Sequence, residues 1–171
     1  MSHGVVRAPA GIAIDLRPET AADRPFLLEL YASTRWAELR AAPWTDVQKR
    51  AFLDMQFQAQ ATHYRATYEN ARWDVVTVNG ATAGRLYLCC MPGQLRIVDI
   101  SLQPEYRGLG IGTYLMRSLI ASAATEGLRL SVHVEQANPA LRWYERLGFE
   151  VVDVRTPYLY MERPPSALEV T

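Results

Sequence analysis

Apolar and polar positions along the chain change period several times, and each change marks an element. Ile12, Ile14 and Leu16 alternate with Ala13 and Asp15, which predicts a short first strand. Thr20-Ala21-Ala22-Asp23 has the form of a capping box with Asp in place of Glu and opens a helix to about Leu39, with Leu27, Leu30, Tyr31 and Thr34 as its buried stripe. Ala41-Ala42-Pro43-Trp44 breaks the pattern, and Thr45-Asp46-Val47-Gln48 caps a second helix to about Tyr68. Trp73 to Val78, an Asn79-Gly80 type I′ turn and Thr82 to Cys90 then predict a hairpin, and Pro92-Gly93 turns the chain into a third antiparallel neighbour, Leu95 to Leu102. A third helix follows with Ile111, Tyr114, Leu115, Ser118, Leu119 and Ser122 on one face, ended by Gly127. Leu128 to Glu135 is a strand, Asn138-Pro139 starts a fourth helix that Gly148 closes, and Phe149 to Val154 and Tyr158 to Glu162 are the last strands. Residues 1–11 and 164–171 carry no period and are expected to be loose tails around one domain, residues 12–163.

The junction of the third strand of the meander with the third helix carries the chemistry. Pro104 ends the strand, and Arg107-Gly108-Leu109-Gly110-Ile111-Gly112-Thr113 leads into the helix. Glycines at a strand-to-helix turn leave backbone N–H groups bare, and the helix N-terminus adds partial positive charge, so a phosphate or pyrophosphate fits there. A dinucleotide fingerprint fails at Thr113 or at Leu115, where glycine is needed, and a P-loop fails for want of its lysine. A glycine-rich turn that binds nothing is the plain alternative.

Arg107-x-x-Gly110-x-Gly112 resembles the first signature of the GNAT acetyltransferases, and Asn138-Pro139-Ala140-Leu141-Arg142-Trp143-Tyr144-Glu145-Arg146-Leu147-Gly148-Phe149 resembles the second. The two stand in the family's order, and the resemblance covers residues 73–162. It implies an α/β fold of the α+β kind, with a mixed, mostly antiparallel seven-stranded sheet splayed between strands 4 and 5 and about four helices. It also implies acetyl-CoA as co-substrate, with no metal. Backbone groups of Ile100, Ser101 and Leu102 would pair with the pantetheine arm. The N–H groups of Arg107, Gly108, Leu109, Gly110, Ile111, Gly112 and Thr113 would take the pyrophosphate, and Asn138 would hydrogen-bond the cofactor. Tyr144 corresponds to the general acid that protonates the leaving thiolate. His133 stands where protein N-terminal acetyltransferases of the family carry a glutamate base, with a packing histidine as its plain alternative; Asp99 is the second candidate base, and relay through water or no dedicated base are the other readings. Arg96 replaces a glutamate found in many members.

An acceptor amine is expected against Trp36, Glu38, Trp44 and Tyr158, with Arg40 and Tyr160 nearby, since aromatics with a carboxylate suit an ammonium. Core packing by these aromatics is the competing reading. The aromatic-rich region before residue 73 tilts the acceptor toward a small molecule rather than a protein N-terminus, and a non-catalytic acyl-CoA sensor is the reading from outside the enzymes. Lys plus Arg and Asp plus Glu are both 18, which leaves no electrostatic footprint for nucleic acid or a membrane surface. The absence of a signal-like or spanning run and the adjacent cysteines Cys89 and Cys90 point to the cytoplasm, and a homodimer is compatible with the chain.

Overall fold

The order of the strands matters more here than their number. The computed structural model describes residues 8–166. Seven strands form one sheet: β1 (Ile14–Pro18), β2 (Ala71–Val78), β3 (Ala81–Met91), β4 (Gln94–Leu102), β5 (Arg129–Glu135), β6 (Glu150–Arg155) and β7 (Tyr158–Arg163). Their order is β1-β2-β3-β4-β5-β7-β6, and every pairing is antiparallel except β4 with β5. That parallel ladder spans only Gln94–Ile97 against Arg129–Val132, so beyond Ile97 the two strands part. Four helices flank the sheet: α1 (Arg24–Arg35), α2 (Asp46–Thr67), α3 (Ile111–Thr125) and α4 (Leu141–Arg146).

Two cores hold these layers. Ile111, Leu115, Met116 and Ile120 of α3 join Tyr144, Leu147 and Phe149 against Leu86, Leu88, Ile97, Leu130, Val132 and Met161. Leu27, Leu30, Tyr31, Leu53 and Phe57 close α1 on α2. The α3 stripe includes Met116, Ile120 and Ala123, whereas Ser118 turns its hydroxyl back to the Tyr114 carbonyl at 2.9 Å and Ser122 is exposed. In α1, Ala32 is buried and Thr34 is exposed, because the stripe follows the helix as it packs on α2.

The predicted boundaries shift where caps act. The first helix is not continuous to Leu39: a 3₁₀ turn, Ala21–Asp23, precedes α1, and another, Trp36–Leu39, follows it. Asn79 and Gly80 both have positive φ, as the I′ turn requires. At α4, the Asn138 carboxamide oxygen accepts the Ala140 N–H at 2.9 Å, so the helical run begins two residues after the proline. The expected tails lie mostly outside the described residues, at 1–7 and 167–171.

Asp23 ties β1 to α1. Its carboxylate accepts two bonds from the Arg17 guanidinium, at 2.8 and 2.6 Å, and the Thr20 N–H at 2.8 Å. The Arg17 hydrogen bonds hold its pKa well below the usual carboxylate range. A depressed folded-state pKa means that the unfolded chain binds the proton more readily, so the contribution is complete at neutral pH and fades as pH falls through about 4 and below. Asp23→Asn is therefore expected to lower the melting temperature at pH 7 and to flatten its fall between about pH 5 and 2. Melting curves across that range check it; parallel curves for both proteins would mean that the pair contributes nothing.

Candidate active site

The split between β4 and β5 exposes one edge of β4, because β3 occupies the other through Leu86↔Ile100, Arg85↔Ser101 and Gly84↔Leu102. A β-bulge precedes that edge. Tyr87 pairs with Asp99 and Leu88 with Ile97, which leaves Val98 as an extra residue. The bulge reverses the alternation: Ile97, Ile100 and Leu102 face the α3 core, and Arg96, Asp99 and Ser101 face the α1–α2 side.

At the end of β4 the chain forms a 3₁₀ turn, Pro104–Tyr106, and then the glycine run. Gly108 and Gly110 have φ of 72° and 80°, a region glycine enters without steric cost. Among the described residues, no backbone N–H from Gly108 to Thr113 has a hydrogen-bond partner in the protein. These are the bare donors of the expected cradle, at the N-terminus of the 15-residue α3. Arg107 departs from the expectation: its N–H donates to the Pro104 carbonyl at 3.2 Å and is spent in the turn. Its side chain instead clamps the loop, Nε to the Leu102 carbonyl at 2.8 Å and Nη2 to Ser33 of α1 at 3.0 Å. Asn138 is exposed, with its carboxamide oxygen committed to the α4 cap and its NH₂ free of that bond.

Tyr144 is 6% exposed, with its ring edge-on to Trp143 at 4.9 Å and Phe149 at 5.4 Å. The Trp143 indole N–H donates to Thr113 at 3.1 Å, which fixes α4 beside the start of α3. Burial, and after it the negative charge of Asp99, raises the Tyr144 pKa, so the phenol keeps its proton. Asp99 reaches Tyr144 only through this field. Its own oxygens accept from Arg85 at 2.8 Å, Tyr64 at 3.3 Å and Ser101 at 3.1 Å. Arg85 is buried, bonds Gln60 at 2.8 Å, and has an Nε without a partner among the described residues. A lone arginine inside the apolar run of β3 is the sequence signal for this pair, since a buried charge needs a counter-charge.

His133 is the first β5 residue beyond the last β4 pairing, opposite Tyr160 in the β5–β7 ladder and in contact with Arg96. Partial burial, then the charges of Arg96 and Arg155, pushes its pKa below the ordinary imidazole value. The expected acceptor residues gather only in part. Arg35 bridges Glu38 at 3.3 Å and Glu135 at 3.2 Å, and Tyr158, 43% exposed, pairs with Glu135 in the ladder. Trp36 lies beneath the Arg50 guanidinium, and Trp44 packs on Phe52 of α2 at 5.1 Å. Arg35 and Glu135 link α1 to the free end of β5, and no local sequence signal joins two residues 100 positions apart. Among the described residues no cluster of three or more His, Cys, Asp or Glu side chains forms a metal site, and no helix is long and apolar enough to cross a membrane.

Comparison with known proteins agrees with this geometry. Residues 68–151 match the family model of the acetyltransferase (GNAT) domain. A [ribosomal protein bS18]-alanine N-acetyltransferase of Haemophilus influenzae is 35% identical over 63 residues, covering 36% of this chain and 43% of that enzyme, so the match spans less than half of that relative's length. A Bacillus subtilis relative assigned the same activity is 28% identical over 129 residues, 74% of this chain and 77% of its own. The PaiA N-acetyltransferase of Thermoplasma acidophilum, solved in complex with coenzyme A, shares the fold at a TM-score of 0.65 and 16% identity, over 89% of this chain and 99% of that one. The ribosomal-protein-S18-alanine N-acetyltransferase of Escherichia coli does so at 0.59 and 20%, over 91% and 96%.

Proposed function

Since residues 68–151 match the GNAT acetyltransferase domain, we propose that the chain belongs to that family and transfers an acetyl group from acetyl-CoA to a primary amine by direct attack within one ternary complex. The observation that carries this reading is a coincidence of place. A free strand edge (Ile100–Leu102), a row of unpaired N–H groups (Gly108–Thr113) and a proton-holding phenol (Tyr144) meet where β4 and β5 part. When bound, acetyl-CoA supplies the activated acyl thioester. The β4 edge would receive its amide arm as a further strand would be received, and the N–H cradle would take its pyrophosphate. Tyr144 would give its proton to the departing sulfur. Asp99, held by Arg85, would attract the ammonium, and its excess proton would leave through water.

Two acceptor readings stand. The small-molecule reading rested on the region before residue 73. The fold neighbours match about nine-tenths or more of both chains, so α1 and α2 belong to the shared fold and are not an added enclosure. A protein acceptor is favoured by the relatives whose names specify an alanine of a ribosomal protein. A panel of small amines, amino acids and peptides beginning with alanine, scored by CoA release, separates them.

The cofactor has its own test. Acetyl-CoA at 100 times its Kd is expected to stabilise the fold by about 2.7 kcal/mol, because it binds only the folded chain. Gly110→Val should weaken this response, since φ of 80° strains a β-branched residue in the middle of the cradle. Thermal shift with acetyl-CoA, CoA and ATP checks it, and a response to ATP alone would sink the assignment.

A further inference from the structure

His133 follows Val132, the last β5 residue paired with β4, and is exposed at the vertex where the strands separate. Arg96 meets it from β4, with Nη1 at 3.0 Å from the imidazole Nδ1. A guanidinium has only N–H groups to offer, so Nδ1 must accept, and a neutral ring then carries its proton on Nε2. Arg96 is not free to turn away. It is buried, donates from Nε to Ser131 at 2.7 Å, and lies 5.1 Å over the Tyr160 ring. Ser131 donates in turn to Gln94 at 2.8 Å. Tyr160 also lies against the imidazole, ring centroids 5.0 Å apart and planes tilted by 34°, and its hydroxyl donates a hydrogen bond to Glu162. The charged groups around the ring are therefore Arg96 from β4, Arg155 and Asp153 from β6, and Glu162 beyond Tyr160.

We propose that Arg96 is a positioning residue that locks His133 in the Nε2–H tautomer, and that this N–H is a hydrogen-bond donor to the acceptor substrate and not a base. A base must offer a lone pair, and the lone pair of Nδ1 is already engaged by Arg96. A donor needs an oxygen to receive it. The acceptor then carries a carbonyl or carboxylate beside its amine, as amino acids and peptide N-termini do and simple alkylamines do not. The donor role rests on the acetyl-transfer reading; the tautomer lock does not.

Long-range proton–nitrogen spectra of the unliganded protein test the lock, with His133→Ala identifying its signals among the three histidines. The expected spectrum at pH 7 has a bare Nδ1 and a protonated Nε2. Arg96→Met should give a mixed tautomer that titrates nearer the ordinary imidazole range. A proton on Nδ1 in the wild type overturns the lock, and this spectrum decides it even where the Arg96 variant fails to fold. The donor role is read from the ratio of kcat/KM for alaninamide over isopropylamine. His133→Ala is expected to lower that ratio about three- to tenfold, the worth of one neutral hydrogen bond, and to leave the acid limb of the pH profile in place. An unchanged ratio, or loss of the acid limb, overturns the donor role. Failure to acetylate either amine overturns the transfer reading and the donor role with it, while the tautomer spectrum still stands.

Discussion

Tyr144→Phe is expected to lower turnover roughly 10²–10⁴-fold, the usual worth of general acid–base help, with little change in melting. A thiolate expelled into a water-poor cleft would be costly without a proton, and Tyr144, whose phenol stays protonated, is the donor proposed for it. The ring supplies the packing, against Trp143, Phe149 and the α3 core, and the substitution keeps it. The hydroxyl has no hydrogen-bond partner among the described residues, so its removal orphans no donor or acceptor. Steady-state kinetics on an identified amine, with a melting curve beside it, decides the matter. Near-normal turnover would make Tyr144 a packing residue and leave water to protonate the thiolate.

The second large effect comes from a glycine in the middle of the sheet. A Cβ on Gly84 would stand 2.2 Å from the Ser101 carbonyl oxygen and 3.1 Å from the Leu102 Cα, both backbone atoms. Backbone cannot swing aside as a side chain can, so β3 and β4 must separate at that point. Gly84→Ala should cost about 3 kcal/mol, the upper end for overpacking, and lower the melting temperature by about 6–12 °C. It should also weaken acetyl-CoA binding, since the displaced residues are the free edge of β4 proposed to receive the cofactor's arm. Melting curves with and without acetyl-CoA separate the two losses. Wild-type melting in this variant would mean that the strands already have room to part.

Periodicity and punctuation reached most of the fold. Asn79-Gly80, Gly127 and Gly148 are local signals with local causes, and each lies at its expected turn or cap with positive φ. No Gly or Pro interrupts the first helical pattern between Pro25 and Leu39, so the sequence shows no break there; the 3₁₀ turn at Trp36 goes with packing on the α1–α2 cluster that no local pattern encodes. The glycine turn before α3, with its unpaired N–H groups, was legible for the same local reason as the hairpin and cap turns. The Arg107 N–H was not, because its donation to Pro104 follows from the 3₁₀ turn before it. Asp99–Arg85 and His133–Arg96 join residues 14 and 37 positions apart across the sheet, a separation at which a single sequence shows charges but not their pairing. The face of Asp99 turned on one extra residue in the β3–β4 ladder, which alternation alone cannot count.

That extra residue also bears on how such a chain can change over generations. Strand β4 before Val98 answers to the parallel seam with β5, and after it to the cleft. Because the bulge resets the alternation, the two halves obey separate rules of inside and outside. A lineage can rewrite the residues that face the cleft without disturbing the half that holds the sheet together. Deleting one residue between Ile97 and Asp99 would merge the halves again and turn the cleft face into the core.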